Sequence, residues 1–161
     1  MFSKTQFTIL NAYHWSTCQR LLKCAGQISP QDYFNQPGYG RGSIHNLFVH
    51  LLSAAYSWRL GLEQGKQPAT INPEDYPDLP AIARGIADEQ AAWERLLDTL
   101  SATEIEAEMS LTDRRGRLWE IPRWRILQHV ILHGMQHHTE LAQLLTAAGQ
   151  SPGDIDFIFY R

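Results

Sequence analysis

Between Gln128 and Glu140 the chain reads QHVILHGMQHHTE, which holds four of its seven histidines. His129, His133 and His137 recur at intervals of four. On a helix, residues four apart lie about 40° apart around the axis and about 6 Å along it, so two imidazoles so placed converge on one small ion. His129 with His133 meets this condition, and so does His133 with His137. All three together do not, because His129 and His137 are about 12 Å apart along the axis. One helix therefore offers two ligands, and a third must come from another element. Without such a third residue, a helical His-x3-His pair is ordinarily a solvated or hydrogen-bonded surface pair.

The best donor elsewhere is His50, in IHNLFVHLLSAAYSW. It falls within or beside an apolar face made by Ile44, Leu47, Leu51, Ala54, Ala55 and Trp58. A buried neutral imidazole needs partners for its ring nitrogens. A metal supplies one, and an outer acceptor the other. Taken alone, a core histidine is more often a structural hydrogen-bonding residue. His45, five positions earlier and about 140° away on the helix, reads as a surface or first-turn residue. His14, beside Trp15, reads as isolated, and His138 points about 100° away from His137. Gly134 follows His133 where a zincin-type protease motif has glutamate. Glu140 is the nearest candidate general base, although a solvated helix glutamate explains it as well. Tyr13, Trp15, Tyr56 and Trp58 could line a pocket, and aromatics at helical spacing are more often core. Cys18 and Cys24 are too few for a disulfide framework, and their spacing fits no common zinc or redox pair, so they read as two semi-buried thiols.

Apolar periodicity supplies the elements that would carry these residues. A first helix is expected from about Ser3 to Gln27, with Gly26 near its end. The stretch SPQDYFNQPGYGRG reads as loop. A second helix starts at Ser43, whose hydroxyl can cap a free backbone N–H, and is expected to end near Gly61. Residues 66–80 read as loop, and a third helix runs from Leu79 to Leu100. Met109, Leu111, Leu118 and Ile121 can alternate as a small hairpin within 107–121 around the turn DRRG. A fourth helix begins after Pro122, which suits a first helical turn, and stops at Gly149. The tail GDIDFIFYR is apolar enough to pack. These elements predict an all-α fold: an antiparallel four-helix bundle with long loops and at least one non-trivial crossover, as a single domain over 1–161.

The chain has 161 residues, 43% hydrophobic and 19% charged, with a formal net charge of −3. That is one domain's worth of core in a soluble globular class. No basic stripe suggests nucleic acid, and TDRRGR at 112–117 reads as a solvated turn. No apolar run approaches a membrane span, and the N-terminus lacks a signal-peptide pattern, so a cytoplasmic protein is expected.

Three segments together resemble a known family: NAYHWSTCQRLL in the first helix, SIHNLFVHLLSAAYSWRLGL in the second, and GRLWEIPRWRILQHVILHGMQHHTELAQLLTAAGQSP at the end. Their order and spacing resemble the DinB/YfiT-like superfamily of four-helix-bundle metalloenzymes over nearly the whole chain. The resemblance implies a divalent metal, zinc or nickel, held by one histidine of the second helix and the His-x3-His pair of the fourth. Carried over, these are His50, His133 and His137, with His129 an outer or structural residue. The chain departs from many relatives at His138, where they have arginine. The resemblance also implies a homodimer and a small-molecule substrate or a low-molecular-weight thiol.

Three neutral imidazoles leave a divalent ion's charge unneutralised and leave coordination positions open. An open site of that kind can lower the pKa of water or of a thiol. The expected function is therefore a metal-dependent hydrolase or a thiol-dependent S-transferase. The alternative is a non-catalytic dimeric module that binds a metal or small ligand, of a stress- or damage-response kind.

Overall fold

Four long helices dominate the structure, a computed structural model that describes residues 3–38 and 40–161. They are α1 (Lys4–Ala25), α3 (Ile44–Gln64), α4 (Leu79–Thr99) and α6 (Arg123–Ala147). Two short helices, α2 (Pro30–Phe34) and α5 (Ala102–Glu106), and a two-stranded hairpin, β1 (Glu108–Thr112) and β2 (Leu118–Pro122), fill the connections. No described helix is long and apolar enough to cross a membrane.

Local chemistry sets the ends of these elements. Ser43 Oγ accepts from Asn46 N–H at 3.1 Å, capping α3 as expected. The helix runs almost a turn past Gly61, to Gln64. It stops there because Gly65 takes the left-handed conformation (φ 69°), which costs glycine nothing. Asp78 Oδ1 accepts from Ala81 N–H at 2.8 Å and starts α4. Pro122 lies just before α6 in extended conformation rather than inside its first turn.

The stretch read as loop from Ser29 onward contains α2. Both short helices open on a serine followed three residues later by an acidic residue. Ser29 Oγ accepts from Asp32 N–H, and Ser101 Oγ from Glu104 N–H. In the second case Glu104 accepts the Ser101 N–H in return, at 2.8 Å.

The hairpin is present, with Met109 opposite Ile121 and Leu111 opposite Trp119. Leu118 does not join its apolar face and is 64% exposed. It sits three positions from Ile121, and an odd separation puts two strand residues on opposite faces. Asp113 holds the turn by accepting from the backbone N–H groups of Arg115 and Arg117.

The bundle's connectivity determines which histidines meet. α1 packs on α4 and α6, and α3 packs on the same two helices, so α1 and α3 lie diagonally. α3 and α6 run antiparallel, pairing His50 with His133 and Trp58 with His129. α1 and α4 are also antiparallel, with Lys4 Nζ donating to Asp98 O. α1 and α6 run parallel, pairing Tyr13 with Met135 and Cys18 with His138. α3 and α4 run parallel too, from His45 beside Tyr76 to Arg59 beside Glu89. A parallel neighbour requires the chain to travel back along the bundle. At roughly 3.3 Å per residue the connection 65–78 reaches about 46 Å, more than the ~32 Å length of α3. Its start is tied to the hairpin by paired backbone bonds, Gln67 N–H to Thr112 O and Thr112 N–H to Gly65 O, each 2.9 Å.

The core between the helices is built from Trp15, Leu21, Leu47, Phe48, Ile82, Ile86, Trp93, Ile126, Leu141 and Leu145. Within it, Trp93 Nε1–H donates to Ala55 O at 3.2 Å. Arg59 of α3 makes a two-pronged pair with the buried Glu89 of α4, at 2.7 and 3.0 Å. Nine residues place Arg59 half a revolution from His50 on α3. The ion pair therefore fixes the α4 side of α3 while His50 faces α6. The tail docks through Tyr13, whose hydroxyl donates to Ile155 O at 2.6 Å and whose ring meets Phe157 and Tyr160 edge-on. Ile158 and Phe159 remain exposed.

Candidate metal centre

His50 lies mid-α3 and is half-buried, with its ring edge toward α6. His133 and His137 reach it from α6. His50 Nε2 lies 3.1 Å from His133 Nε2, and His137 Nε2 lies 3.2 Å from the same atom. A tetrahedral ion with bonds of about 2.0 Å to imidazole needs ligand nitrogens about 3.3 Å apart. The two distances to His133 Nε2 match that spacing, and the three rings' ligand atoms all lie within 4.8 Å of one another.

The electrostatics keep His50 and His133 available as neutral lone-pair donors. Burial, reinforced by Arg41 and the neighbouring imidazoles, lowers His50 from 6.5 to about 3. Burial followed by His137, His129 and Arg41 lowers His133 to about 4. His137 is oriented from outside: its Nδ1 lies 2.8 Å from Glu140 Oε2, so Nδ1–H donates to the carboxylate and Nε2 keeps its lone pair. Glu140 is thus neither a free solvated glutamate nor an unengaged base. A cavity of about 170 Å³ adjoins it, lined by Arg41, Leu47, Glu140, Gln143 and Leu144 among others.

The remaining sequence candidates separate. His129 packs edge-on against Trp58 at 4.9 Å between ring centroids and tilts against His133 at 5.6 Å, outside the convergent set. His45 faces Tyr76 O, with Nε2 2.8 Å away. Tyr13 and Trp15 do not line a pocket beside His50. Both are buried, Trp15 donating to Asn11 Oδ1 and Tyr13 held by the tail. Tyr56 lies under Arg59.

Two expectations are overturned. His14 is not isolated, and Cys18 is not semi-buried. His14, Cys18 and His138 form a second group in which every member is buried. His14 and Cys18 are four residues apart on α1. That is the same helical spacing that draws attention to α6, and it could have flagged them. They meet His138 because α1 and α6 are parallel neighbours. Cys24 is half-buried and stands apart from the group.

The solved structures that share the fold include two from Bacillus subtilis. A DinB-like protein, YjoA from Bacillus subtilis, is 18% identical with a TM-score of 0.64, the match covering 88% of this chain and 93% of that one. YfiT from Bacillus subtilis is 16% identical with a TM-score of 0.65, the match covering 94% of this chain and 92% of that one. YfiT is described as a probable metal-dependent hydrolase with an unusual four-helix bundle topology. Among curated proteins, none matches the sequence significantly. The DinB family profile matches residues 1–161, end to end, and the chain belongs to the DinB family.

Proposed function

We propose that this protein is a divalent-metal-dependent enzyme whose ion is held by His50, His133 and His137. The observation that carries the reading is the convergence of the three rings, with His133 Nε2 at 3.1 and 3.2 Å from Nε2 of His50 and His137 and with Glu140 fixing the tautomer of one ring. YfiT's description as a probable metal-dependent hydrolase supports the same class. Zinc or nickel suits an all-imidazole set.

When bound, such an ion supplies Lewis acidity and lowers the pKa of a water or a low-molecular-weight thiol presented to it. The chain does the rest. Burial and Arg41 hold His50 and His133 neutral at physiological pH, so their lone pairs are not blocked by protons. Glu140 holds His137 in register. Arg41, in the lining of the adjoining cavity, gives an anionic group of a small substrate a partner. The reaction is hydrolysis or transfer to a thiol. The working unit is a homodimer, a reading supported by the exposed Ile9, Phe157, Ile158 and Phe159.

The deciding experiment combines metal analysis with turnover. Protein prepared without added metal should carry about one zinc or nickel per chain, as a site with three protein ligands holds one ion. His50→Ala should lose it. Metal-loaded wild type should hydrolyse small esters or amides, or conjugate electrophiles in the presence of thiols, and the stripped protein should not. Equal metal content in wild type and His50→Ala sinks the site. Full occupancy with no turnover of either substrate class reduces the protein to a metal-binding module.

A further inference from the structure

A second cluster of potential ligands lies apart from the three-histidine group. His14 and Cys18 lie one turn apart on α1, and His138 faces them from α6. Their exposures are 3%, 1% and 0%. Cys18 Sγ lies 3.1 Å from His138 Nε2 and 4.0 Å from His14 Nε2. The two imidazoles stack at 4.8 Å with an interplanar angle of 25°. Hydrogen bonding accounts for part of this arrangement: the thiol can donate to one Nε2, and its sulfur can accept from the Nε2–H of the other ring. Each imidazole's other nitrogen, Nδ1, is buried with no partner and would carry the N–H when Nε2 binds an ion. A cation between the three groups would engage both Nε2 lone pairs and the sulfur together.

Charge decides which cation. A thiolate with two neutral imidazoles carries −1. No carboxylate and no fourth His or Cys ligand atom joins the cluster among the described residues. A divalent ion would leave a net positive charge buried without compensation, which is costly. A monovalent ion leaves the site neutral. Among the metals that soft thiolate and imidazole ligands suit, copper(I) is the monovalent one. For a trigonal centre with bonds of ~2.0 Å to nitrogen and ~2.3 Å to sulfur, the edges from sulfur to nitrogen are about 3.7 Å. The observed 3.1 and 4.0 Å bracket that value.

We propose that His14, Cys18 and His138 form a buried trigonal site for copper(I), with two nitrogen ligands and one sulfur, separate from the three-histidine centre. Copper enters as Cu(I) and remains Cu(I). The Cys18 S–H bond breaks, its proton leaves to solvent, and an S–Cu bond forms, so one proton is released per ion and no oxidant is needed. The proposal does not depend on any ion at His50, His133 and His137.

The test is an anaerobic copper(I) titration of the full chain, with zinc already added to fill other imidazole sites, against a chromogenic Cu(I) chelator. Wild type and Cys24→Ala should each take up about one Cu(I) per chain with release of about one proton. Cys18→Ala should weaken binding by more than the roughly 10–100-fold that changes to outer residues cost. X-ray absorption of the wild-type complex should show one sulfur and two nitrogen neighbours, a readout that holds even if Cys18→Ala folds poorly. Copper bound without sulfur, binding lost in Cys24→Ala, or wild type binding no tighter than Cys18→Ala would each overturn the proposal.

Discussion

His137 and His138 are adjacent in sequence and serve different clusters. Nε2 of His137 lies 3.2 Å from His133 on the α3 side of α6, and Nε2 of His138 lies 3.1 Å from Cys18 on the α1 side. One helical step of about 100° is enough to separate them. Helix α6 therefore carries polar chemistry on two faces at the same level.

Glu140 should matter for metal affinity although it does not reach the convergent nitrogens. Its carboxylate fixes the His137 ring through Nδ1. Glu140→Gln should weaken zinc or nickel binding about 10–100-fold with little change in fold. Competition titration against a chelator measures this, with circular dichroism as the control. An unchanged affinity would return Glu140 to the role of an ordinary surface residue.

Gly134 sits where α6 passes His14. A Cβ there would run into the His14 ring at Cε1 and Nδ1, and that ring is buried and cannot swing clear. Gly134→Ala should destabilise the protein by roughly 1–3 kcal/mol, the usual range for overpacking. It should do so despite alanine's better helix propensity. Urea denaturation of the metal-free protein gives the number, and a stabilised variant would contradict the packing.

The Arg59–Glu89 pair should be costly to break from one side. Burial raises the Glu89 carboxyl while the guanidinium pulls it back, and the two-pronged geometry marks it as ionised. Glu89→Ala leaves Arg59 with only Glu63, whose side chain is 34% exposed. A loss of about 3 kcal/mol is expected, at the lower end of the range for stranded buried charges. Thermal and urea unfolding of the variant check it.

Acid should destabilise the metal-free protein early. Burial lowers His14 and His133 from 6.5 to about 4, His50 to about 3, and His138 well below its ordinary value. Between those values and ~6.5 the unfolded chain binds protons that the folded chain refuses. Their contribution is thus fully present above pH ~6.5 and declines as pH falls toward about 4. Urea midpoints of chelator-treated protein should be flat from pH 7 to 8 and drop steadily below 6.5. Constant stability down to pH 5 would mean these rings are protonated in the folded state.

Much of the fold and of the three-histidine centre is legible in the residues because periodicity and capping are local. Ser43, Gly149 and the apolar stripes of four helices mark the bundle, and the His-x3-His spacing with the mid-helix His50 marks the three nitrogens that meet. α2 and α5 escape the apolar pattern because they are too short for a period to show, although their Ser-x-x-acidic starts are readable. Leu118 breaks the expected alternation because it lies an odd number of positions from Ile121 on the same strand, a spacing that is itself legible in the residues. His14 reads as isolated for a topological reason. Nothing in α1 alone indicates that α6 will run beside it in the same direction and deliver His138.

That direction also bears on how the chain folds. The contacts His50–His133 and Cys18–His138 close segments of 83 and 120 residues. Closing such long segments before any local reward is entropically slow, so both clusters should assemble late, once α6 has docked. An ion in either cluster would then act mainly on the rate at which α6 leaves. Metal status would set how long the native chain survives before proteolysis more than how fast it forms.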